Sequence, residues 1–115
     1  MIANDILQQL LAFRKERDWE KFHTPKNLSI AISVEVAELL EIFQWTSEAN
    51  VGEVIARERM AIVDEVADVA ILLSYLCHDL SIDLDVAIQS KIEKNRQKYP
   101  VHLAFGTATK YDRLT

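Results

Sequence analysis

Two short acidic motifs, Glu35-Val36-Ala37-Glu38 and Glu65-Val66-Ala67-Asp68, each sit inside a long apolar run, and they narrow the folds open to this chain more than any other feature. Residues three apart are neighbours on one face of a helix, so each motif sets two carboxylates side by side. At about 100° per residue, Glu35 falls about 20° from both Leu28 and Ile42, and Glu65 about 20° from both Leu72 and Leu76. Both glutamates thus lie on the stripe that should face a core. An unpaired buried carboxylate costs several kcal/mol, roughly, so four such acids need a cation, a proton or a partner.

The rest of the chain favours helices around these motifs. Half of its 115 residues are hydrophobic, with only two Gly and two Pro, which predicts an all-α fold in one domain, residues 1–115. Residues Asn4 to about Asp18 have the spacing of an amphipathic first helix. The aromatic connection Trp19-Glu20-Lys21-Phe22-His23 leads to Thr24-Pro25, where Thr can cap a helix and Pro can take its first position. From Lys26 to about Gln44 the apolar residues go almost all round, with Leu28, Ala31, Ile32, Leu39 and Ile42 on one side and Ile30, Val34, Ala37 and Leu40 on others. In so small a chain that pattern predicts burial against another subunit as well as the core. Trp45 to about Glu53 reads as a connection. A third helix is expected from near Val54 or Arg57 to His78 or Asp79, and a fourth, capped by Asp83, to Tyr99 with Pro100 as its stop. The segment from Val101 onward reads as a short polar tail. The expected architecture is a four-helix, bundle-like arrangement.

Charge and cysteine usage exclude several classes of function. A net charge of −5 argues against binding a nucleic-acid polymer, which calls for a basic face. The lone Cys77 lies in an apolar run and fits a buried thiol in a reducing, cytoplasmic setting. Met1 to Leu11 lacks the features of a secretion signal, and no apolar stretch is long and uncharged enough to span a bilayer, so no membrane partner is expected.

One acidic pair alone is the ordinary pattern of a solvated helix face. Two pairs, each beginning at the centre of an apolar stripe, would be brought together by antiparallel packing of the second and third helices. Ligands that are all oxygen select Mg²⁺, Mn²⁺ or Ca²⁺, whereas a di-iron bundle would carry His at the fourth motif position, here Glu38 or Asp68. Mg²⁺ usually shares its coordination with substrate phosphates, which points to a phosphate ester attacked by water. On the fourth helix Asn95 falls on the apolar stripe beside Lys91, and these two can meet phosphate oxygens. Trp19, Phe22, His23 and Trp45 flank the second helix, where flat rings can stack on a base.

Taken in order, Arg17-Asp18-Trp19-Glu20-Lys21-Phe22-His23, Pro25-Lys26-Asn27-Leu28, Glu35-Val36-Ala37-Glu38, Phe43-Gln44-Trp45, Asp64-Glu65-Val66-Ala67-Asp68, Lys91-Ile92-Glu93-Lys94-Asn95-Arg96, Tyr99-Pro100 and Gly106 to Tyr111 cover nearly the whole chain. This set resembles the MazG-like all-α nucleotide pyrophosphohydrolases, and within them the dCTP pyrophosphatase branch. The resemblance implies hydrolysis of a nucleoside triphosphate to the monophosphate and pyrophosphate, with Mg²⁺ held by Glu35, Glu38, Glu65 and Asp68 and Mn²⁺ as the substitute. It also implies phosphate contacts from Lys91 and Asn95, a base pocket involving Trp19, His23 and Trp45, and assembly as a homodimer or homotetramer. Leu72 departs from the pattern, because related enzymes often carry Tyr four residues after the motif Asp. Base and sugar preference are thereby left open between dCTP, related or modified pyrimidine deoxynucleotides, dUTP and damaged triphosphates. A reading from another class is a catalytically silent helical oligomerisation module whose acids form interchain salt bridges.

Overall fold

Thr24 and Pro25 open the second helix as their sequence predicts: the Thr24 hydroxyl accepts from the Asn27 amide at 3.1 Å, and Pro25 supplies the first helical residue. The structure, a computed structural model, describes residues 2–115. Among the described residues every regular element is helical. They form two compact units, Ile2–Ser81 and Ile82–Thr115.

In the first unit, α1 (Asn4–Glu16) leads through a single turn, Glu20–Phe22, into α2 (Pro25–Phe43). The chain reverses at Asp18, whose φ of 56° is left-handed, a conformation that Asp tolerates better than most residues. The Asn27 side chain donates to the Phe22 carbonyl at 3.0 Å, which ties the aromatic connection to the start of α2. A turn at Glu48–Asn50 is followed by α3 (Val51–Arg57) and α4 (Arg59–Asp79). Glu35 shares a cavity wall with Asp68, Ile71 and Leu72, whereas Glu38 and Ile42 share another with Glu58, Ala61 and Glu65. The helices α2 and α4 therefore run antiparallel, and their pairing is the most extensive in the unit.

The core of this unit is small. Leu28, Val54, Tyr75 and Cys77 are its buried apolar residues, contributed by α2, α3 and α4. Two long-range polar links tie α1 to α4: the Tyr75 hydroxyl donates to the Leu10 carbonyl at 2.7 Å, and the buried Arg14 forks onto both carboxylate oxygens of Asp79. Arg14 is buried while Asp79 is open to solvent at one side, so the pair ties the end of α4 to α1 through a fixed two-pronged contact.

The expected third helix is α4, ending at Asp79, and a further short helix, α3, precedes it and begins inside the stretch expected as a connection. The chain departs from helical geometry at Glu58, with φ −104° and ψ 22°, and α3 ends there on a bond from the Glu58 amide to the Val54 carbonyl. Arg57, Glu58 and Arg59 are good helix formers, so local propensity gives no sign of this break. Val54 is 5% exposed, so α3 is anchored through burial of that side chain.

In the second unit, the Asp83 carboxylate accepts from the Val86 amide at 3.2 Å and caps α5 (Leu84–Lys98), as expected. The tail differs from its expectation. Behind Pro100 it forms α6 (Val101–Ala104), then a turn at Tyr111–Arg113, and it exposes Val101 and Phe105. The Tyr99 and Tyr111 rings meet edge to face at 6.1 Å, which pins this segment to the end of α5.

Ile30, Val34, Val36 and Leu40 on α2 are all exposed in the single chain, the apolar faces that the sequence shows as excess to one core. Among the described residues no helix is long and apolar enough to cross a membrane.

Candidate active site

The antiparallel α2 and α4 turn their acidic motifs toward one another. Carboxylate oxygens of Glu35, Glu38 and Glu65 all lie within 4.8 Å of one another. Glu38 is exposed and the other two are half-buried. One oxygen of each, Glu35 Oε2 and Glu65 Oε2, is buried without a hydrogen-bond partner. Orphaned buried oxygens of this kind are costly, and a hard cation satisfies them. The three-acid cluster fits a hard divalent cation by donor type, since every donor is an oxygen.

The electrostatics carry the same signature. Glu35 is pushed up to about 7, first by a hydrogen bond with Glu65 and then by burial and the Glu38 and Asp68 carboxylates. Glu65 also stands above the ordinary carboxylate range: its hydrogen bond with Glu35 lowers it, but desolvation and the charges of Glu38 and Asp68 outweigh that. A shared proton and a bound cation are the two ways in which such a crowd of carboxylates relieves its repulsion.

Asp68, the fourth acid of the sequence pattern, is exposed and stands beside this cluster rather than within it. It joins Glu35 on the wall of a cavity of about 360 Å³ whose other walls are mainly apolar, with Leu10, Phe13, Trp19, Ile71, Leu72 and Tyr75 around His23. Trp19 packs edge-on against Phe13 at 5.7 Å, and the rings of His23 and Tyr75 lie 5.1 Å apart. Glu38 and Glu65 face a second cavity of about 450 Å³, with Glu41, Arg57 and Glu58 on its walls. The acids thus separate an aromatic cavity from a polar one.

Of the remaining sequence candidates, Trp19 and His23 line the aromatic cavity. Trp45 is 90% exposed just past the end of α2 and lines neither cavity. Lys91 and Asn95 are exposed on α5, in the second unit. Sequence reasoning passed over Phe13, Arg14, Tyr75, Asp79 and Arg57. Arg14 had left a sign, as a cation seven residues after Leu7 and four after Leu10 on the apolar stripe of α1. Tyr75 and Phe13 read as core from their spacing, and nothing local marks them as cavity walls.

A family model described as the MazG-like family matches residues 30–114, most of the chain. The chain belongs to the MazG-like family. Among the relatives of this MazG-like chain, a protein named dCTP pyrophosphatase 1 from Rattus norvegicus is 46% identical over 112 residues, which are 96% of this chain and 66% of that protein. The protein of the same name from Homo sapiens is 43% identical over the same shares. The chain therefore spans 66% of the length of these relatives, just under two thirds. The crystal structure of a pyrophosphatase from Archaeoglobus fulgidus superposes with a TM-score of 0.81 at 49% identity, covering 84% of this chain and 90% of that one.

Proposed function

We propose that this MazG-like chain is a Mg²⁺-dependent nucleoside triphosphate pyrophosphohydrolase that converts dCTP, or a related or modified pyrimidine deoxynucleotide, to the monophosphate and pyrophosphate. The observation that carries the reading is the cluster of Glu35, Glu38 and Glu65 with two orphaned buried oxygens, set beside an aromatic cavity. The names of the relatives and of the Archaeoglobus pyrophosphatase support the same chemistry. The family match spans residues from both compact units, which supports reading 1–115 as a single domain.

In this reading Glu35, Glu38 and Glu65 hold the metal, with Asp68 as the fourth acid next to the substrate. Bound Mg²⁺ would supply Lewis acidity at the phosphate oxygens and lower the pKa of a coordinated water. Water oxygen bonds to the α-phosphorus as the bond from that phosphorus to the α–β bridging oxygen breaks; the bonding pair leaves on pyrophosphate, and the proton of the water passes to solvent. Hydrolysis in ¹⁸O-labelled water should put the label in the monophosphate, and label in pyrophosphate would mean attack at the β-phosphorus. Lys91 and Asn95 are assigned to phosphate contacts, and Arg57 stands on the wall of the polar cavity.

The test is a panel of nucleoside triphosphates assayed for pyrophosphate release with and without Mg²⁺. The base is expected in the aromatic cavity between Trp19 and His23. A stacked ring is worth about 1–3 kcal/mol, so Trp19→Ala should weaken capture of dCTP by about one to two orders of magnitude. His23→Ala should flatten the profile across bases, because stacking alone tolerates any of them. Equal hydrolysis of dATP, dGTP and dCTP by the wild-type chain would defeat the pocket assignment.

The working unit is a homodimer or homotetramer, in which a second copy covers Ile30, Val34 and Leu40 and gives the exposed Trp45 ring a surface to pack on. Sedimentation at micromolar concentration should find no active monomer. The free, buried Cys77 is compatible with a reducing, cytoplasmic setting.

A further inference from the structure

His23 lines the aromatic cavity, and what its ring can offer there is decided by a residue that is not on the cavity wall. Arg14, only 6% exposed, donates from Nη1 and Nη2 to the two Asp79 oxygens at 2.9 and 2.5 Å, and Nη1 also lies 3.4 Å from His23 Nδ1. The guanidinium sits 4.7 Å over the Tyr75 ring, so its plane is held from a second direction. A guanidinium has donors only and does not lose its charge in a protein. In the contact with His23 the acceptor must then be Nδ1, and a neutral imidazole that accepts at Nδ1 carries its proton on Nε2. Burial first, and then the Arg14 charge, hold His23 below its ordinary value against the opposing pull of Asp79, which keeps the ring neutral near pH 7.

We propose that Arg14 is a positioning residue for base recognition: clamped by Asp79, it fixes His23 as the Nε2–H tautomer, so that the ring presents a hydrogen-bond donor to an acceptor atom on the edge of the bound base. This rests on the pyrophosphohydrolase reading for its substrate, but the state of the ring does not. A ring free to change tautomer could offer an acceptor as well as a donor, and the edge of the base would be read ambiguously. Arg suits the position because its fork serves Asp79 and His23 at once. Lysine keeps the charge opposite Asp79 but is a compact point charge without the fork.

The decisive measurement is a long-range ¹H–¹⁵N correlation spectrum of His23 in the labelled full chain without nucleotide. The wild type should show a protonated Nε2 and a bare Nδ1. In Arg14→Lys the two nitrogens should shift toward averaged values. The KM for dCTP should then rise about fivefold to tenfold with kcat little changed, the size expected when one neutral hydrogen bond is blurred. A merely structural Arg14 would change thermal stability and leave the His23 nitrogens alone. A wild-type ring protonated on Nδ1, or an unchanged ring in folded Arg14→Lys, overturns the proposal. If Arg14→Lys does not fold, Asp79→Asn, which loosens the clamp on Arg14, takes its place in the same spectrum and should shift the two nitrogens in the same way. Because the spectrum needs no substrate, a wild type that releases no pyrophosphate counts against the proposed activity, and a wrong tautomer counts against Arg14.

Discussion

Glu38→Gln should lower pyrophosphate release by about two to four orders of magnitude while leaving the helices intact, because metal Lewis acidity is worth several kcal/mol and each 1.36 kcal/mol is tenfold in rate. Glu38 is the exposed member of the cluster and faces the polar cavity, so its loss removes an anionic ligand without opening a hole in the core. A neutral amide is a poor ligand for a hard cation, and Mg²⁺ affinity should fall with the rate. Circular dichroism and a melting curve taken with chelator separate this from unfolding. The metal-free variant should melt no lower than wild type, since one of several crowded charges is gone. Wild-type turnover by Glu38→Gln would remove this residue from the site.

The metal-free wild-type chain should lose stability as pH rises from about 4.5 to about 7, and a divalent cation should restore it. The sign follows from the raised Glu35. Between its ordinary value of 4.5 and its folded value of about 7, the folded chain holds a proton that the unfolded chain has released. Protons therefore favour folding in that window. This contribution is complete below the lower limit and lost above the upper one. Above pH 7 a cation takes over the role of the proton. At a hundredfold excess over its Kd it should raise Tm on the order of 10 °C. Equal melting temperatures in EDTA and in Mg²⁺ would sink the metal assignment. Glu38→Gln should also narrow the pH window, because Glu38 is one of the groups that raises Glu35.

The parts of this chain that sequence made legible are those governed by a local period. Glu35 and Glu65 stand out because each interrupts an apolar stripe, and Thr24-Pro25 and Asp83 mark helix starts through bonds to amides three residues on. What stayed hidden depends on contacts across long sequence distances. Arg14 and Asp79 are 65 residues apart, and only the packing of α1 on α4 makes the cation on one stripe the partner of an acid at the end of the other. The break at Glu58 is hidden for the complementary reason: every local preference there favours a continuous helix, and the burial of Val54 belongs to tertiary packing. The acidic motifs lead to the expectation of four acids around one cation; carboxylate oxygens of three lie within 4.8 Å of one another, and Asp68 lines the aromatic cavity with Glu35. Periodicity places a side chain on a face, but it does not fix which neighbour that side chain meets.

The two tryptophans also divide the optical signal of the protein. Trp45, 90% exposed, should emit as a solvated indole, while Trp19, 42% exposed and packed on Phe13 along the wall of the aromatic cavity, should emit at somewhat shorter wavelength. On the proposed function, occupancy of the cavity should alter one chromophore and subunit association the other. A single emission spectrum, resolved into its two components, can follow ligand capture and assembly as separate events without any label.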